Sequence, residues 1–439
     1  MKYDVIVCGG GTAGCAFAYT AGKLGLKTLL IEKNNFLGGT MTSGLVTPAM
    51  ITSDKNINTD FYKELMNNLS NIGGQITYND GNIGWFNPEL MKIVLDEMLT
   101  SKKVDILFDS IVDDINTNDK ILISVKINNL STKTNETIYN NNITQNNKIL
   151  SEYIETKYVI DATGDAKIFQ KLNCDFLENK NNFQPINLRF IMSGIDLNKF
   201  SNWILNLDKD RNVTTSYMIN NEIHLSTAYT WDTNKQWALK PLFKKGIENG
   251  DITEEDSNYF QVFTIPGMPS ALAFNCPRLL LNKEFNLDSK IDISKALIKG
   301  RASILRLSKF LRKYFIGFEN SYISSIANSL GIRVSNRIKG RYIYTIDDLK
   351  SGKQFKNPCL VSNYPVDVHS SKKNESVLEH QYQDYSLPIE SLMSCNYDNL
   401  FAIGRCISAD FEAQAALRII PSCFSMGEGL AKYIAQLEN

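Results

Sequence analysis

Hydrophobic and polar positions near the N-terminus change period twice before residue 33. Val5, Ile6 and Val7 make a short apolar run that stops at Gly9, AFAYTAGKLGL spaces its apolar residues as a helix does, and KTLLI returns to a continuous run. That succession predicts a strand, a helix and a strand, a βαβ unit. Farther along, FNPELMKIVLDEMLTSKKVDILFDSIVDDI predicts a helix and then a strand, and KYVIDATGDAKI a buried strand running into Ala162. Near the C-terminus NLFAIGR predicts a strand ending at Gly404, and a final helix is expected to begin near Ser422. Between these stretches NLRFIMSGI and EIHLSTAYTW read as strands and ISKALIKGRASILRLSKFLRKYFIGF as helix. The Asn-rich tract 128–150 reads as the tip of a surface hairpin.

The chemistry sits in the turns. Gly9, Gly11 and Gly14 bracket Thr12 and Ala13 between the first predicted strand and the first helix. Gly9 suits a tight turn, Gly11 lets the backbone approach a pyrophosphate, and Gly14 permits close helix packing; the helix start contributes free N–H groups and partial positive charge. Glu32 ends the second predicted strand 18 positions after Gly14, with Lys33 beside it. A carboxylate at about that offset meets a ribose hydroxyl pair and disfavours a 2′-phosphate. A purely structural glycine turn would leave Glu32 without a purpose.

After Glu32 the chain enters a loop, Asn34 to Gly44, with Gly38 and Gly39 followed by Thr40, Met41, Thr42 and Ser43. Paired glycines let the backbone pass close to a bulky group, and the hydroxyls of Thr40, Thr42 and Ser43 can bond to it. Here the chain resembles the FAD-binding start of the glutathione-reductase-like flavoprotein superfamily, and within it the FAD-dependent oxidoreductase family. The resemblance extends to the Ser110–Val112 segment, which implies backbone at Ile111 and Val112 near the adenine. It extends also to the Ala162, Thr163, Gly164, Asp165 motif that closes the flavin domain, and to Gly404 and Arg405 with Ser422 and Cys423 at the final helix start, where a positive helix end near the ring favours reduced flavin.

The fold so implied is α/β, a Rossmann-like FAD-binding domain of the glutathione-reductase type with an inserted α+β substrate domain. Its flavin domain is discontinuous, residues 1–169 plus 395–439, and 170–394 form the substrate or cap domain. No histidine lies between Gly38 and Pro48, where one class of relatives attaches flavin covalently, so FAD is expected to be non-covalent.

Composition narrows the partners. The 439 residues are 43% hydrophobic and 21% charged with formal net charge +0, enough for a large core and without a global field drawing the chain to nucleic acid or anionic lipid. The first strand begins at Tyr3, leaving no room for an export signal, and no apolar run is long enough to cross a bilayer, so a cytoplasmic location is expected. Eight scattered cysteines with no CxxC speak against iron–sulfur clusters, a redox disulfide pair or any metal site.

A small-molecule substrate facing the ring needs a proton acceptor or donor and a cation. His369, in NYPVDVHSS, lies where the resemblance implies proximity to the ring and is the candidate acid or base. His224, in an alternating strand, is expected to face solvent, and His380 lies in a charged loop. Arg405 is expected to serve the FAD pyrophosphate. Of Arg333, Arg337 and Arg341, spaced by four, one could bind an anionic substrate, with Arg337 the catalytic candidate; the plainer expectation is an ion pair with Asp347 or Asp348. Tyr217, Tyr229, Trp231 and Trp237 could line a pocket or simply fill a core.

The expected activity is hydride transfer between a small organic substrate and flavin N5, with oxygen or an external electron carrier serving the other half-reaction. The rivals are a flavin-dependent reductase of activated double bonds, with Arg337 or Arg405 as acid, and an RNA-acting or electron-transfer flavoprotein subunit.

Overall fold

The N-terminal alternation is realised as strand Lys2–Cys8, helix Thr12–Lys23 and strand Thr28–Ile31. The computed structural model describes residues 2–129, 153–178, 184–229, 236–279, 285–369, 376–378 and 383–438. Lys2–Cys8 is central in a parallel sheet, with Val7 opposite Leu30 of Thr28–Ile31 on one side and Ile160 of Tyr153–Asp161 on the other. Asp105–Leu107 extends the first side and Leu400–Ala402 the second, both parallel. Val5, Ile6 and Val7 are wholly buried, as befits a strand covered on both faces. Because later strands are added on opposite sides of Lys2–Cys8, the loops leaving Cys8 and Asp161 part over a crevice at the strands' C-terminal ends. This is the switch point where such sheets bind ligands.

Ser110–Asn118 and Ile121–Asn129 continue the sheet as an antiparallel pair, and Ile121–Asn129 runs antiparallel to Tyr153–Asp161. The predicted hairpin tip joins those last two strands and lies, from residue 130, outside the described residues. The helix Thr12–Lys23 packs on the final helix so closely that a Cβ on Gly427 would sit 2.3 Å from the Ala13 carbonyl oxygen. That final helix runs Ile420–Glu438, after a separate short helix Phe411–Leu417.

The second sheet has six antiparallel strands in the order Thr214–Ile219, Glu222–Ala228, Gln261–Thr264, Leu272–Phe274, Phe190–Ser193, Tyr322–Ile326. The 25-residue helix Lys290–Tyr314 contributes Ile304, Leu307, Phe310 and Leu311 to its core. That core is rich in rings, including a stacked Phe190–Phe274 pair with centroids 4.5 Å apart. Apart from Leu45, its buried residues fall between Ile186 and Leu330, whereas Tyr344, Leu360, Tyr385 and Met393 pack in the core beneath the parallel sheet. Residues 332–343 form no helix, so the four-residue spacing of Arg333, Arg337 and Arg341 does not align them on a helix face. Isolated bridges from Ile338 to Phe176 and from Gly340 to Ser394 hold this stretch instead.

Candidate functional site

At the crevice Gly9 adopts φ +109°, and a Cβ there would lie 2.5 Å from the Ala162 carbonyl oxygen. A Cβ on Gly14 would lie 2.0 Å from the Gly9 carbonyl oxygen, so the helix can start this close only without a side chain. Gly11 differs: the nearest atom to a Cβ there is 4.0 Å away, leaving open space over the turn. Gly11 is also the N-cap of Thr12–Lys23, and no side chain caps that helix start. The first-turn N–H groups of Thr12 and Ala13 therefore head a positive helix end beside the space above Gly11.

Glu32 is buried in the second wall. Its Oε2 accepts the Gly10 N–H at 2.7 Å, and its Oε1 accepts the Asn34 backbone N–H at 2.9 Å and the Asn34 Nδ2–H at 2.6 Å. The Ser110 N–H donates to the Glu32 carbonyl at 3.1 Å, which sets Ser110, Ile111 and Val112 alongside; Val112 is buried, Ile111 exposed, and Lys33 exposed. The 34–44 loop folds back on the glycine turn: Gly38 N–H donates to Gly10 O at 2.8 Å, and a Cβ on Gly39 would meet Gly11 Cα at 2.8 Å. Two of its hydroxyls, those of Thr42 and Ser43, have protein partners. Thr42 Oγ1 donates to Leu37 O at 2.6 Å, and Ser43 Oγ shares a 2.8 Å bond with Ser329 Oγ, tying the loop to the segment after the strand Tyr322–Ile326. Thr40 accepts the Val46 N–H through its carbonyl, and Gly44 lies against the Thr40 backbone.

Across the crevice Asp161, absent from the sequence-derived candidates, organises the turn. Wholly buried, it accepts the Thr163 N–H at 3.0 Å, the Thr163 hydroxyl at 2.7 Å and the Ile168 N–H at 2.8 Å. Burial raises its carboxyl above the ordinary range despite those donors. Gly164 adopts φ +77° behind it. Arg405 clamps the same turn: Nε donates to Gly164 O at 2.8 Å, Nη1 to Ile332 O at 3.0 Å, and Nη2 to Asp165 Oδ1 at 2.6 Å. Burial would raise the Asp165 carboxyl, but the Arg405 guanidinium holds it below its usual value. At the final helix start burial pushes the Cys423 thiol up to about 12, and the wholly buried Ser422 Oγ has no hydrogen-bond partner among the described residues. Open space at Gly11, an uncapped helix start and a partnerless Ser422 hydroxyl fit a large anionic nucleotide cofactor.

A cleft of about 400 Å³ opens between the two sheets' bodies. Pro48, Met50, Ile51 and Thr52 line it next to the flavin-type loop, with Asn82 and Trp85 adjoining. Ser226 and Gln261 of the second sheet and the segment Asn363, Tyr364, Pro365 complete it. Among the described residues no charged side chain lines it. Beyond the Tyr364 segment, His369 ends the strand Asp367–His369, its backbone opposite Ser376; its side chain, together with His380 and Trp231, lies outside the described residues.

Other candidates are placed differently from expectation. His224 faces the interior, 1% exposed, because its strand has a covered face at that position; desolvation lowers its pKa, opposed by Glu222. Trp237 is core, Tyr229 packs on it at 4.8 Å, and Tyr217 meets Tyr78 edge-on at 5.9 Å. Arg337 makes no ion pair with Asp347 or Asp348: it is buried, and donates from Nη1 to Ala409 O at 3.0 Å and from Nη2 to Glu178 O at 3.2 Å. Asp348 instead caps a helix and bonds Tyr342 and Lys353, and Arg341 pairs with Asp398 at 2.7 Å.

Sequence reasoning passed over Arg189, Tyr259, Arg278, Asp367 and Arg418, whose chain positions carry no common period. Arg278 stacks on Tyr259 with Cζ 4.2 Å from the ring centroid. Arg418 Nη2 pairs with Asp367 Oδ2 at 3.2 Å. Arg189 is buried, with one 3.4 Å bond from Nη1 to Leu45 O.

Comparison with known proteins fixes the class. The chain matches the family described as FAD dependent oxidoreductase over residues 4–437 and belongs to it. It is accordingly an FAD-dependent oxidoreductase, with FAD as its cofactor. A bifunctional amine oxidase of Dictyostelium discoideum is 50% identical over 50 residues, 11% of this chain and 5% of that much longer protein. Similar solved structures include a geranylgeranyl bacteriochlorophyll reductase-like protein from Thermoplasma acidophilum, with 13% identity, TM-score 0.41, and 100% of this chain and 79% of that one covered. The flavin-dependent brominase Bmp2 gives 12%, 0.46, 100% and 79%. A p-nitrophenol 4-monooxygenase from Pseudomonas putida DLL-E4 gives 11%, 0.43, 78% and 70%. Among the described residues no helix is long and apolar enough to cross a membrane.

Proposed function

We propose that the protein moves a hydride between a small organic substrate in the inter-sheet cleft and FAD seated at the glycine turn, with oxygen or an external electron carrier completing the cycle. The observation that carries this reading is the uncapped helix start at Gly11, open above its backbone and walled by Glu32 and the Gly38–Gly39 loop. Bound FAD would supply the hydride-accepting group that the side chains lack. Thr12 and Ala13 N–H groups hold its phosphate charge, Glu32 its ribose hydroxyls, and Ile111 and Val112 its adenine side. Thr163 and Asp165, fixed by Asp161 and Arg405, keep the opposite wall rigid, and Ser422 and Cys423 bring the positive start of the final helix to the site.

His369 is the proposed acid or base for the substrate's O–H or N–H proton. Arg337, through Ala409 and Glu178, holds in place the segments that carry the site. The proposed fold is of the glutathione-reductase type, with 1–169 plus 395–439 as flavin domain and 170–394 as insert, the separately packed part of that insert being Ile186 to Leu330.

The test is the visible spectrum of the purified protein before and after denaturation, and during anaerobic reduction and return to air. A flavin spectrum that leaves the protein as free FAD on denaturation is expected, since Gly38 to Pro48 holds no histidine. Fast reoxidation identifies oxygen as acceptor, and slow reoxidation a carrier. A protein that neither carries nor takes up FAD overturns the reading.

A further inference from the structure

Four arginines, from distant parts of the chain, meet next to the cleft. Arg278 lies on a strand paired with Ile186–Asn187, two residues before Arg189. Gly331 bridges Asn187, placing Arg333 close by, and Gln414 Nε2 donates to Arg333 O at 3.2 Å from the helix that Arg418 ends. Arg418, Arg278 and Arg189 interact electrostatically with Arg333, opposed among the described residues by the Asp367 carboxylate. The group is thus cationic among the described residues.

Arg189 is its least satisfied member. It is more than nine-tenths buried, Nε has no hydrogen-bond partner among the described residues, and no described carboxylate comes within ion-pair distance. Among the described residues Arg333 makes one side-chain bond, Nη1 to Pro185 O at 2.6 Å. A buried guanidinium without a counter-charge is costly, and the arrangement persists where an anion completes it. Burial and the neighbouring arginines push Arg333 down to about 9, and burial pushes Arg189 down to about 10, as expected of crowded cations awaiting an anion.

Two cleft residues lead into this group. Gln261 Oε1 accepts from Tyr259, on which Arg278 stacks, and Tyr364 lies in the field of Arg418 and Asp367. The cleft's described lining is uncharged, and its Met50 and Ile51 are 45% and 51% exposed, an apolar surface for an apolar ligand body. We propose that Arg189 and Arg333, with Arg278 and Arg418, form an anion pocket that recognises a carboxylate of the substrate, while the substrate's neutral, partly apolar body occupies the adjoining cleft. This rests on the reading of the cleft as the substrate's place. Guanidinium forks match a planar carboxylate with paired hydrogen bonds, which makes Arg189 and Arg333 specificity residues rather than proton carriers.

The experiment titrates the FAD-loaded protein with phenylacetate and, separately, with its uncharged analogue phenylacetamide, by calorimetry and by the flavin difference spectrum. The acid should bind at least about tenfold tighter than the amide. Arg189→Gln and, independently, Arg333→Gln should each remove that preference with FAD stoichiometry and amide binding unchanged. Equal binding of acid and amide, absence of acid binding at millimolar concentration, an acid preference that survives both variants, or loss of FAD from both variants would each overturn the pocket; the last would assign the arginines to the cofactor. Trp85→Ala separates the underlying reading. It should weaken acid and amide alike, whereas an effect on neither, with the acid preference still lost in Arg189→Gln, keeps the anion pocket and removes the cleft from substrate binding.

Discussion

The glycine turn and the arginine group handle negative charge by opposite means. At the turn the donors are backbone N–H groups at a helix start, and the site exists because Gly9 and Gly14 have no Cβ to collide with Ala162 and Gly9 itself. At the arginine group the donors are long side chains drawn from residues 189, 278, 333 and 418, and the backbone only positions them. The first is rigid and contiguous, so one added methyl group damages it. The second is assembled by topology, so removing one member weakens binding without disturbing the fold around it.

The sharpest break of that contrast is within the turn. Gly14→Ala gains about 1 kcal/mol of helix propensity, but its Cβ would overlap a backbone oxygen 2.0 Å away that cannot rotate aside. Overpacking of that kind costs up to about 3 kcal/mol or more, so denaturant midpoints should fall and FAD should be lost together. Gly11→Ala meets nothing closer than 4.0 Å. It should leave the midpoint of the FAD-free protein nearly unchanged while lowering FAD affinity, since the methyl group enters the space the cofactor uses. If both variants behave alike, the turn is purely structural.

Asp161→Asn comes next. The carboxylate gathers the donors of Thr163 and Ile168, and an amide offers one oxygen and two competing N–H groups in their place. Charge-assisted bonds of this kind contribute about 1.5–3 kcal/mol each, part of which is offset because the amide is easier to bury. A net loss of about 2 kcal/mol in chemical denaturation, with weaker FAD binding through the Thr163 to Asp165 turn, is expected. An unchanged midpoint would mean that the turn is held by Arg405 alone. Glu32→Gln is milder still: it keeps one acceptor for Gly10 or Asn34 and loses the charge, so FAD affinity, measured by fluorescence quenching, should fall about tenfold, or 1.4 kcal/mol.

These contrasts follow what could be read along the chain. The strand, helix and strand at residues 2–31, the glycines and Glu32 are local features, and the periods that announce them survive folding because the parallel sheet is covered on both faces. Asp161 was hidden because, apart from the Thr163 hydroxyl, its partners are backbone N–H groups of the turn and the short helix after it, which have no sequence signature. The arginines were hidden for another reason: Arg189, Arg278 and Arg418 become neighbours of Arg333 only through strand pairing and bridges around Asn187 and through the turn after Phe411–Leu417. The four-residue spacing of Arg333, Arg337 and Arg341 does not make them neighbours, because residues 332–343 form no helix and are held by isolated bridges, so the three diverge to Pro185, to Ala409 and Glu178, and to Asp398.

His224 gives the smallest effect and tests the second sheet apart from either site. Alternation along Glu222–Ala228 suggested a solvent-facing ring at His224, but the structure buries it beside Tyr78, 6.1 Å between centroids. Neither ring nitrogen makes a hydrogen bond of good geometry among the described residues; Glu222 Oε2 stands 4.0 Å from Nε2, and the Ile219 backbone also favours the charged ring. Burial therefore lowers the folded-state pKa below the ordinary 6.5, with Glu222 opposing but not cancelling the shift. Above pH 6.5 the ring is neutral in both states and contributes no pH dependence. As pH falls below that value the unfolded chain takes up a proton that the folded chain refuses, so stability declines until the folded pKa is reached. The slope from one group cannot exceed about 1.4 kcal/mol per pH unit. His224→Phe keeps the ring's bulk without its titration, and the stability of wild type minus that of the variant, from urea denaturation, should be constant above pH 7 and fall toward pH 5. A difference that stays flat across that range would mean that the proton enters the folded protein freely, and that the buried face of Glu222–Ala228 opens to water.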